Sequence, residues 1–326
     1  MNTTPSSAPR VTSTAGGRAL VLGGGGSTGN AWLIGVVAGL FDGGLDVTAA
    51  DLTIGTSAGS TAAAQFAGAT PAELYAAILT ATPPQRTGPA GSGRGRGPVR
   101  SAADMMERTA TIIASAEDAA DMRRRMGAAA VDLAASDGAR QAQWRATVAA
   151  RLPSQLWPER TVLITAVDAR TGEPSVFDRN SGVDLADAIA ASCSSGSAYR
   201  IGDREYIDGG YRRNENADLA AGCGRVLVLS PFGGRSRTPS DWGLQLAAQV
   251  EELREGGSSV ETIFPDSSSE HLFGANAMDL SLRPAAARAG YDQGKALARR
   301  LTEFWAGADQ DETDLNGADP ADAGQG

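Results

Sequence analysis

Two glycine-flanked motifs, each set between a short apolar run and a helix-like stretch, constrain this chain more than any other feature. The first is Gly23-Gly24-Gly25-Gly26-Ser27-Thr28-Gly29, after Arg18-Ala19-Leu20-Val21-Leu22. The second is Gly55-Thr56-Ser57-Ala58-Gly59, after Asp51-Leu52-Thr53-Ile54. A strand that turns at once into a helix needs small residues at the reversal. Apolar strands alternating with longer helical stretches along the rest of the chain predict an α/β class.

The second motif has the G-x-S-x-G spacing of a nucleophile elbow, in which Gly55 and Gly59 clear space and leave the Ser57 hydroxyl exposed. A helix–strand contact that merely requires small residues would look the same. The first motif presents bare backbone N–H groups at a helix start, which suits a negative oxygen. Gly24-x-Gly26-x-x-Gly29 also satisfies the dinucleotide fingerprint. That use wants an acidic residue at the end of the second strand, where the chain instead runs into Gly55-Thr56-Ser57-Ala58-Gly59. No Lys-Ser/Thr follows the glycines, as a phosphate P-loop would need. Beside an elbow, the glycine loop reads as an oxyanion hole.

A serine hydroxyl is a poor nucleophile without a positioned base. The single histidine, His271, lies in the polar stretch Asp266-Ser267-Ser268-Ser269-Glu270-His271-Leu272-Phe273 and reads as a surface residue. Among the acids, Asp208 stands out. It follows the short apolar strand Glu205–Ile207 and precedes Gly209 and Gly210, so a carboxylate sits at a strand end on a tight turn. An ordinary Asp-Gly β-turn has the same appearance.

Composition narrows the partners. The net charge of −9 argues against nucleic acid, and against adhesion to an anionic membrane by charge alone. Cys193 and Cys223 are too few for a disulfide framework and form no C-x-x-C pair, so both read as buried thiols. No metal or cofactor is expected. Residues 1–17 lack the apolar segment of a signal peptide, and the apolar stretch Ala31 to Phe41 is short and glycine-interrupted. A cytoplasmic protein is the expectation.

Along its 326 residues, with 42% hydrophobic content for a substantial core, the chain divides into a disordered leader (1–17), one domain (18–305) and an acidic disordered tail (306–326). The Pro/Gly/Arg-rich insert 83–100 reads either as a lid or as an inert excursion. Expected strands are Leu20–Leu22, Leu52–Ile54, Thr161–Val167, Pro174–Phe177, Glu205–Ile207 and Arg225–Leu229. Expected helices are Gly29–Asp42, Ala58–Ala67, two within Ser101 to Leu152, Val183–Ala191, Asp241–Glu255 and Pro284–Trp305. The Met and Ile positions in the 101–152 region (Met105, Met106, Ile112, Ile113, Met122, Met126) suit core packing or the lining of an acyl site.

The order of glycine loop, GTSAG elbow and Asp-Gly-Gly resembles the patatin-like phospholipase family over roughly residues 18–305. The segments that carry the resemblance are LGGGGSTGNAWLIGVVAGL (22–40), DLTIGTSAGS (51–60) and YIDGGYRRNENADLA (206–220). The resemblance implies a three-layer α/β/α fold with a mostly parallel central sheet. It implies a Ser–Asp dyad without histidine, in which Ser57 is the nucleophile and Asp208 the base, with the N–H groups of Gly24, Gly25 and Gly26 as the oxyanion hole. The substrate would be a phospholipid, lysophospholipid or other acyl ester, met through transient contact with a lipid surface. The sequence departs from the family pattern at Thr28, where many members carry Arg or Lys, and in Ala190–Tyr199, which lacks a common proline. A non-catalytic lipid-binding or scaffold protein, and a Rossmann-type nucleotide binder, are the alternatives.

Overall fold

The computed structural model describes residues 16–81, 102–134 and 138–307. The insert 83–100, and most of the expected leader and tail, lie outside the described residues. The strands are β1 (Arg18–Leu22), β2 (Leu52–Gly55), β3 (Thr161–Asp168), β4 (Pro174–Phe177), β5 (Tyr199–Ile201), β6 (Arg204–Asp208), β7 (Arg225–Leu229) and β8 (Ser259–Ile263). They form one sheet in the order β5-β6-β3-β2-β1-β7-β8, with β4 also paired to β3. The centre, β3-β2-β1-β7-β8, is parallel, while β4, β5 and β6 join antiparallel.

The helices are α1 (Gly26–Asp42), α2 (Ala58–Gly68), α3 (Pro71–Thr80), α4 (Ala102–Ser115), α5 (Ala119–Ala134), α6 (Gly138–Ala149), α7 (Leu185–Ser192), α8 (Leu246–Glu255) and α9 (Arg283–Ala306). Strand alternation assigns them to two layers. Leu20 and Leu22 of β1 pack with Trp32, Leu33, Val36 and Leu40 of α1 and with Leu301 of α9. Their neighbours Ala19 and Val21 point the other way, into a cluster with Val226, Val228 and with Leu246 and Leu253 of α8. Because successive side chains of a strand face opposite sides, each face is buried under helices, and the fold is three-layered. Met122 and Met126 of α5 are buried against Val167 of β3 and Ile207 of β6, which makes them core residues.

Helices α1 and α9 approach to backbone distance. A Cβ added at Gly35 would lie 2.1 Å from Ala287 O, and one at Gly294 would lie 2.2 Å from Val36 O. Glycines on both partners therefore let the two helices seat against each other, and α1 is buried along nearly its whole length.

Several boundaries differ from expectation. The 101–152 region forms three helices rather than two. The chain breaks at Ala116-Glu117-Asp118, where the Asp118 carboxylate accepts from the Asp121 N–H and starts α5. The helix expected from Asp241 begins only at Leu246, because Gly243 in a left-handed conformation (φ 63°) ends a 3-10 turn over Ser240–Trp242. Helix α3 was not anticipated, although its capping box, with Thr70 and Glu73 exchanging hydrogen bonds around Pro71, is a legible start signal. Among the described residues, no helix is long and apolar enough to cross a membrane.

Candidate active site

Strand β3 brings the two halves of the site together. Ile164 pairs with Gly55 of β2 on one edge and with Phe177 of β4 on the other. Two residues on, Ala166 pairs with Ser175 of β4 and with Asp208 of β6. Since β4 keeps its own edge, β2 and β6 share the opposite one and meet end to end. The C-terminal end of β2 leads into Ser57, and the C-terminal end of β6 is Asp208.

At that junction Ser57 holds φ 52° and ψ −115°, outside the regions a residue with a Cβ ordinarily occupies. Such strain persists only where the surroundings over-determine the backbone. The Ser57 N–H donates to Ser192 Oγ at 2.9 Å. The Ser57 carbonyl accepts from Ser60 Oγ at 2.6 Å and from Cys193 Sγ at 3.2 Å. Gly59 lets α2 seat on the sheet, since a Cβ there would lie 1.9 Å from Leu22 O, and a Cβ at Gly55 would lie 2.6 Å from Ser60 Cα.

A buried polar cluster underlies the elbow. Thr56 Oγ1 and Thr165 Oγ1 are 2.9 Å apart, and Asn216 Nδ2 donates to them at 3.0 and 3.3 Å, as well as to Gly209 O at 3.2 Å. Asn216 is left-handed (φ 55°), a conformation asparagine tolerates better than most residues. Gly209 must be glycine to lie on this cluster, because a Cβ there would stand 2.3 Å from Thr165 Oγ1.

Asp208 is 8% exposed. Its carboxylate accepts from the Gly210 N–H at 2.8 Å, and its own N–H donates to Ser194 O at 3.0 Å. Burial raises its pKa to about 6, against the opposing hydrogen bonds from Gly210 N–H and the Ser57 hydroxyl. The Cys193 thiol is pushed up to about 11, chiefly by burial and then by the Asp208 charge, so it stays protonated and serves as a donor.

The glycine loop flanks the elbow: a Cβ at Gly24 would come 3.6 Å from Ser57 Cβ. One expectation requires correction. The Gly24 N–H donates to Asn214 O at 3.0 Å, so it is already committed. Among the described residues the N–H groups of Gly25 and Gly26, at the start of α1, make no such bond. Asn214 is held in turn, donating to Gly24 O at 3.3 Å and to Glu215 Oε1 at 2.8 Å. Glu215 is buried, and burial raises its pKa despite hydrogen bonds from Asn214, Ser230 and Gln249. Thr28 is fully buried, its N–H and Oγ1 both donating to Ala277 O, at 3.0 and 3.5 Å. His271 lies exposed in the 3-10 turn Ser267–Leu272.

Ser192, Cys193, Ser194, Thr165, Asn214 and Asn216 were not singled out as site residues from sequence. For Ala190–Tyr199 a signal existed. That segment departs from the resembled pattern, and it supplies the contacts that grip both Ser57 and Asp208.

A family model described as Patatin-like phospholipase matches residues 20–221. Among solved structures, VipD from Legionella pneumophila is 13% identical with a TM-score of 0.40, covering 88% of this chain and 68% of that one. The type III effector protein ExoU is 13% identical with a TM-score of 0.31, covering 87% of this chain and 54% of ExoU, so the chain spans about half of ExoU's length. No curated protein matches.

Proposed function

The chain belongs to the patatin-like phospholipase family, and from that premise we propose that it is a serine acyl hydrolase of lipid esters, working through Ser57 and Asp208. The observation that carries this reading is the Asp208 carboxyl, buried at the end of β6 on the same edge of β3 at which β2 leads into the strained Ser57. With a pKa raised to about 6, it is mostly ionised at neutral pH yet more basic than an exposed aspartate near its reference value of about 4.

Ser57 Oγ attacks the ester carbonyl carbon as its proton passes to Asp208. The carbonyl π electrons move onto oxygen, and the N–H groups of Gly25 and Gly26 hold that oxyanion, aided by the start of α1. Collapse breaks the bond to the leaving oxygen, which takes the proton back from Asp208. Water then attacks the acyl-serine, again giving its proton to Asp208, and the second collapse frees the carboxylic acid and restores the Ser57 hydroxyl with that proton. The strained, positive-φ backbone at Ser57 is held in place by its hydrogen bonds to Ser192 and Cys193.

The test is labelling with a fluorophosphonate and mapping of the adduct by mass spectrometry. A single adduct on Ser57, lost in Ser57→Ala, is expected. A protein that binds lipid esters without turnover or adduct would instead be a binding or scaffold protein.

A further inference from the structure

The Asn214 carboxamide stands between the glycine loop and the turn that carries Asp208. Its Nδ2 donates to Gly24 O at 3.3 Å and to Glu215 Oε1 at 2.8 Å. A backbone carbonyl can only accept, so the amino end of the amide must face this pair and the oxygen must face the other way. Glu215 is 1% exposed and is itself held. Ser230 Oγ donates to its Oε1 at 2.7 Å, and Gln249 Nε2 donates to its Oε2 at 3.4 Å. The orientation of the amide is therefore fixed from below by a buried carboxyl.

The amide oxygen faces the site. It lies 2.7 Å from the Cβ that Gly24 would carry, a position 3.6 Å from Ser57 Cβ. It also lies 3.7 Å from the Cβ that Gly210 would carry, a position 3.1 Å from Asp208 Oδ1. Gly24 must be glycine because this oxygen stands over it. Among the described residues no group donates to Asn214 Oδ1, and Asn214 is only half-buried, so water can reach it. An acceptor placed beside Ser57 and Asp208 suits a reactant with a second proton to donate.

The two halves of the reaction differ in that respect. In acylation the Ser57 hydroxyl has one proton, and it passes to Asp208. In deacylation the attacking molecule is water, which has two. One proton passes to Asp208 as the oxygen bonds to the acyl carbon. The other stays on that oxygen and leaves with the carboxylic acid, while Asp208 returns its proton to Ser57 Oγ. An acceptor for the second O–H fixes the direction of the attacking lone pair; without one the water turns freely.

We propose that Asn214 is a catalytic residue of deacylation, its Oδ1 accepting a hydrogen bond from the attacking water, and that Glu215 is the positioning residue that holds the amide in that orientation. This rests on the acyl-hydrolase reading, and it gives the second half-reaction a residue of its own.

The test is turnover of a short-chain nitrophenyl ester in the presence of methanol, with the acid and the methyl ester separated by chromatography. Methanol has a single O–H, which goes to Asp208, so its attack makes no use of Asn214 Oδ1. In Asn214→Ala the ratio of methyl ester to acid should rise about tenfold, while the first-turnover release of nitrophenolate stays within about threefold of the unmutated protein. Acyl-Ser57 should accumulate in the quenched variant and be visible by mass spectrometry. Glu215→Leu should shift the ratio the same way, and Glu215→Gln, which can still accept from Nδ2, should restore much of it. Asn214 is half-buried, so its variant remains readable if Glu215→Leu does not fold. A merely structural loss would lower both transfers together. An unchanged product ratio in Asn214→Ala, or a first turnover that falls as far as the steady rate, would overturn the proposal. The unmutated protein separates the two claims. If it forms no acyl-Ser57 and releases no acid, the hydrolase reading fails and this role falls with it. If it turns over and the ratio does not move with Asn214, the role alone fails.

Discussion

Gly55 and Asp208 lie on the same edge of β3, Gly55 opposite Ile164 and Asp208 opposite Ala166. The parallel strand β2 and the antiparallel strand β6 run toward each other along that edge and stop where they would collide. The elbow leaves from one end and the carboxylate from the other. The spacing between Ser57 and Asp208 is therefore set by sheet register, and the residue opposite the gap, Thr165, joins both sides through Thr56 and Asn216.

Thr165→Val tests that junction. The substitution keeps the shape and removes the hydroxyl that meets Thr56 Oγ1 at 2.9 Å and Asn216 Nδ2 at 3.3 Å in a buried setting. Loss of one partner in a buried network costs about 1–3 kcal/mol. Urea denaturation should show that loss, and kcat should fall as the gap between Ser57 and Asp208 loosens.

The pH dependence follows from Asp208. Its pKa is raised from 3.8 to about 6, and the base works only when ionised, so kcat/KM should rise about tenfold per pH unit below that value and level off above it. Stability moves the other way. Between about pH 4 and 6 the folded carboxyl holds a proton that the unfolded one has released, so this group's contribution to stability falls as pH rises. Asp208→Asn, which cannot ionise, should therefore gain in melting temperature relative to the unmutated protein between pH 4 and 7.5.

Ser192 accepts the hydrogen bond of the strained Ser57 N–H. Ser192→Ala leaves that N–H unpaired and frees the elbow to relax. The expected result is a drop of about tenfold in kcat with little change in KM, since an interaction that positions the reacting atom acts on the chemical step. Ser192→Thr, which keeps the hydroxyl, should restore much of it; an equal loss in both variants would assign Ser192 to packing.

Helix packing gives a separate test. Gly294→Leu places a side chain where even a Cβ would lie 2.2 Å from Val36 O. Overpacking of this kind typically costs about 1–3 kcal/mol, and more where backbone must move. Thermal unfolding should show a fall of several degrees or a failure to fold, whereas Gly257→Leu, at a site with open space around it but with φ 88°, should show only the smaller penalty of backbone strain.

The turns of the candidate site were legible in the sequence because their requirements are local. The turn at Ser57 needs Gly55 and Gly59 within two residues, and the turn after Asp208 needs Gly209 beside it. What escaped the sequence depends on pairing between distant segments. The Gly24 N–H is consumed by Asn214, the Ser57 N–H by Ser192, and Ser27 is held by Arg283 from 256 residues away. No periodicity or spacing encodes such contacts. The same holds for strands β5 and β8, short segments defined by their partners rather than by their own residues. The helix count in 101–152 failed for a local reason, a cap at Asp118 within an alanine-rich run.

The central claim is that Asp208, and not the only histidine, activates Ser57. The most direct measurement is the kcat for hydrolysis of a short-chain acyl ester by Asp208→Asn beside His271→Ala. Removing a general base should lower kcat by about two to four orders of magnitude, while His271→Ala, altering an exposed side chain, should stay within about twofold of the unmutated protein. Hydrolysis that survives Asp208→Asn, or that collapses in His271→Ala, would contradict the account.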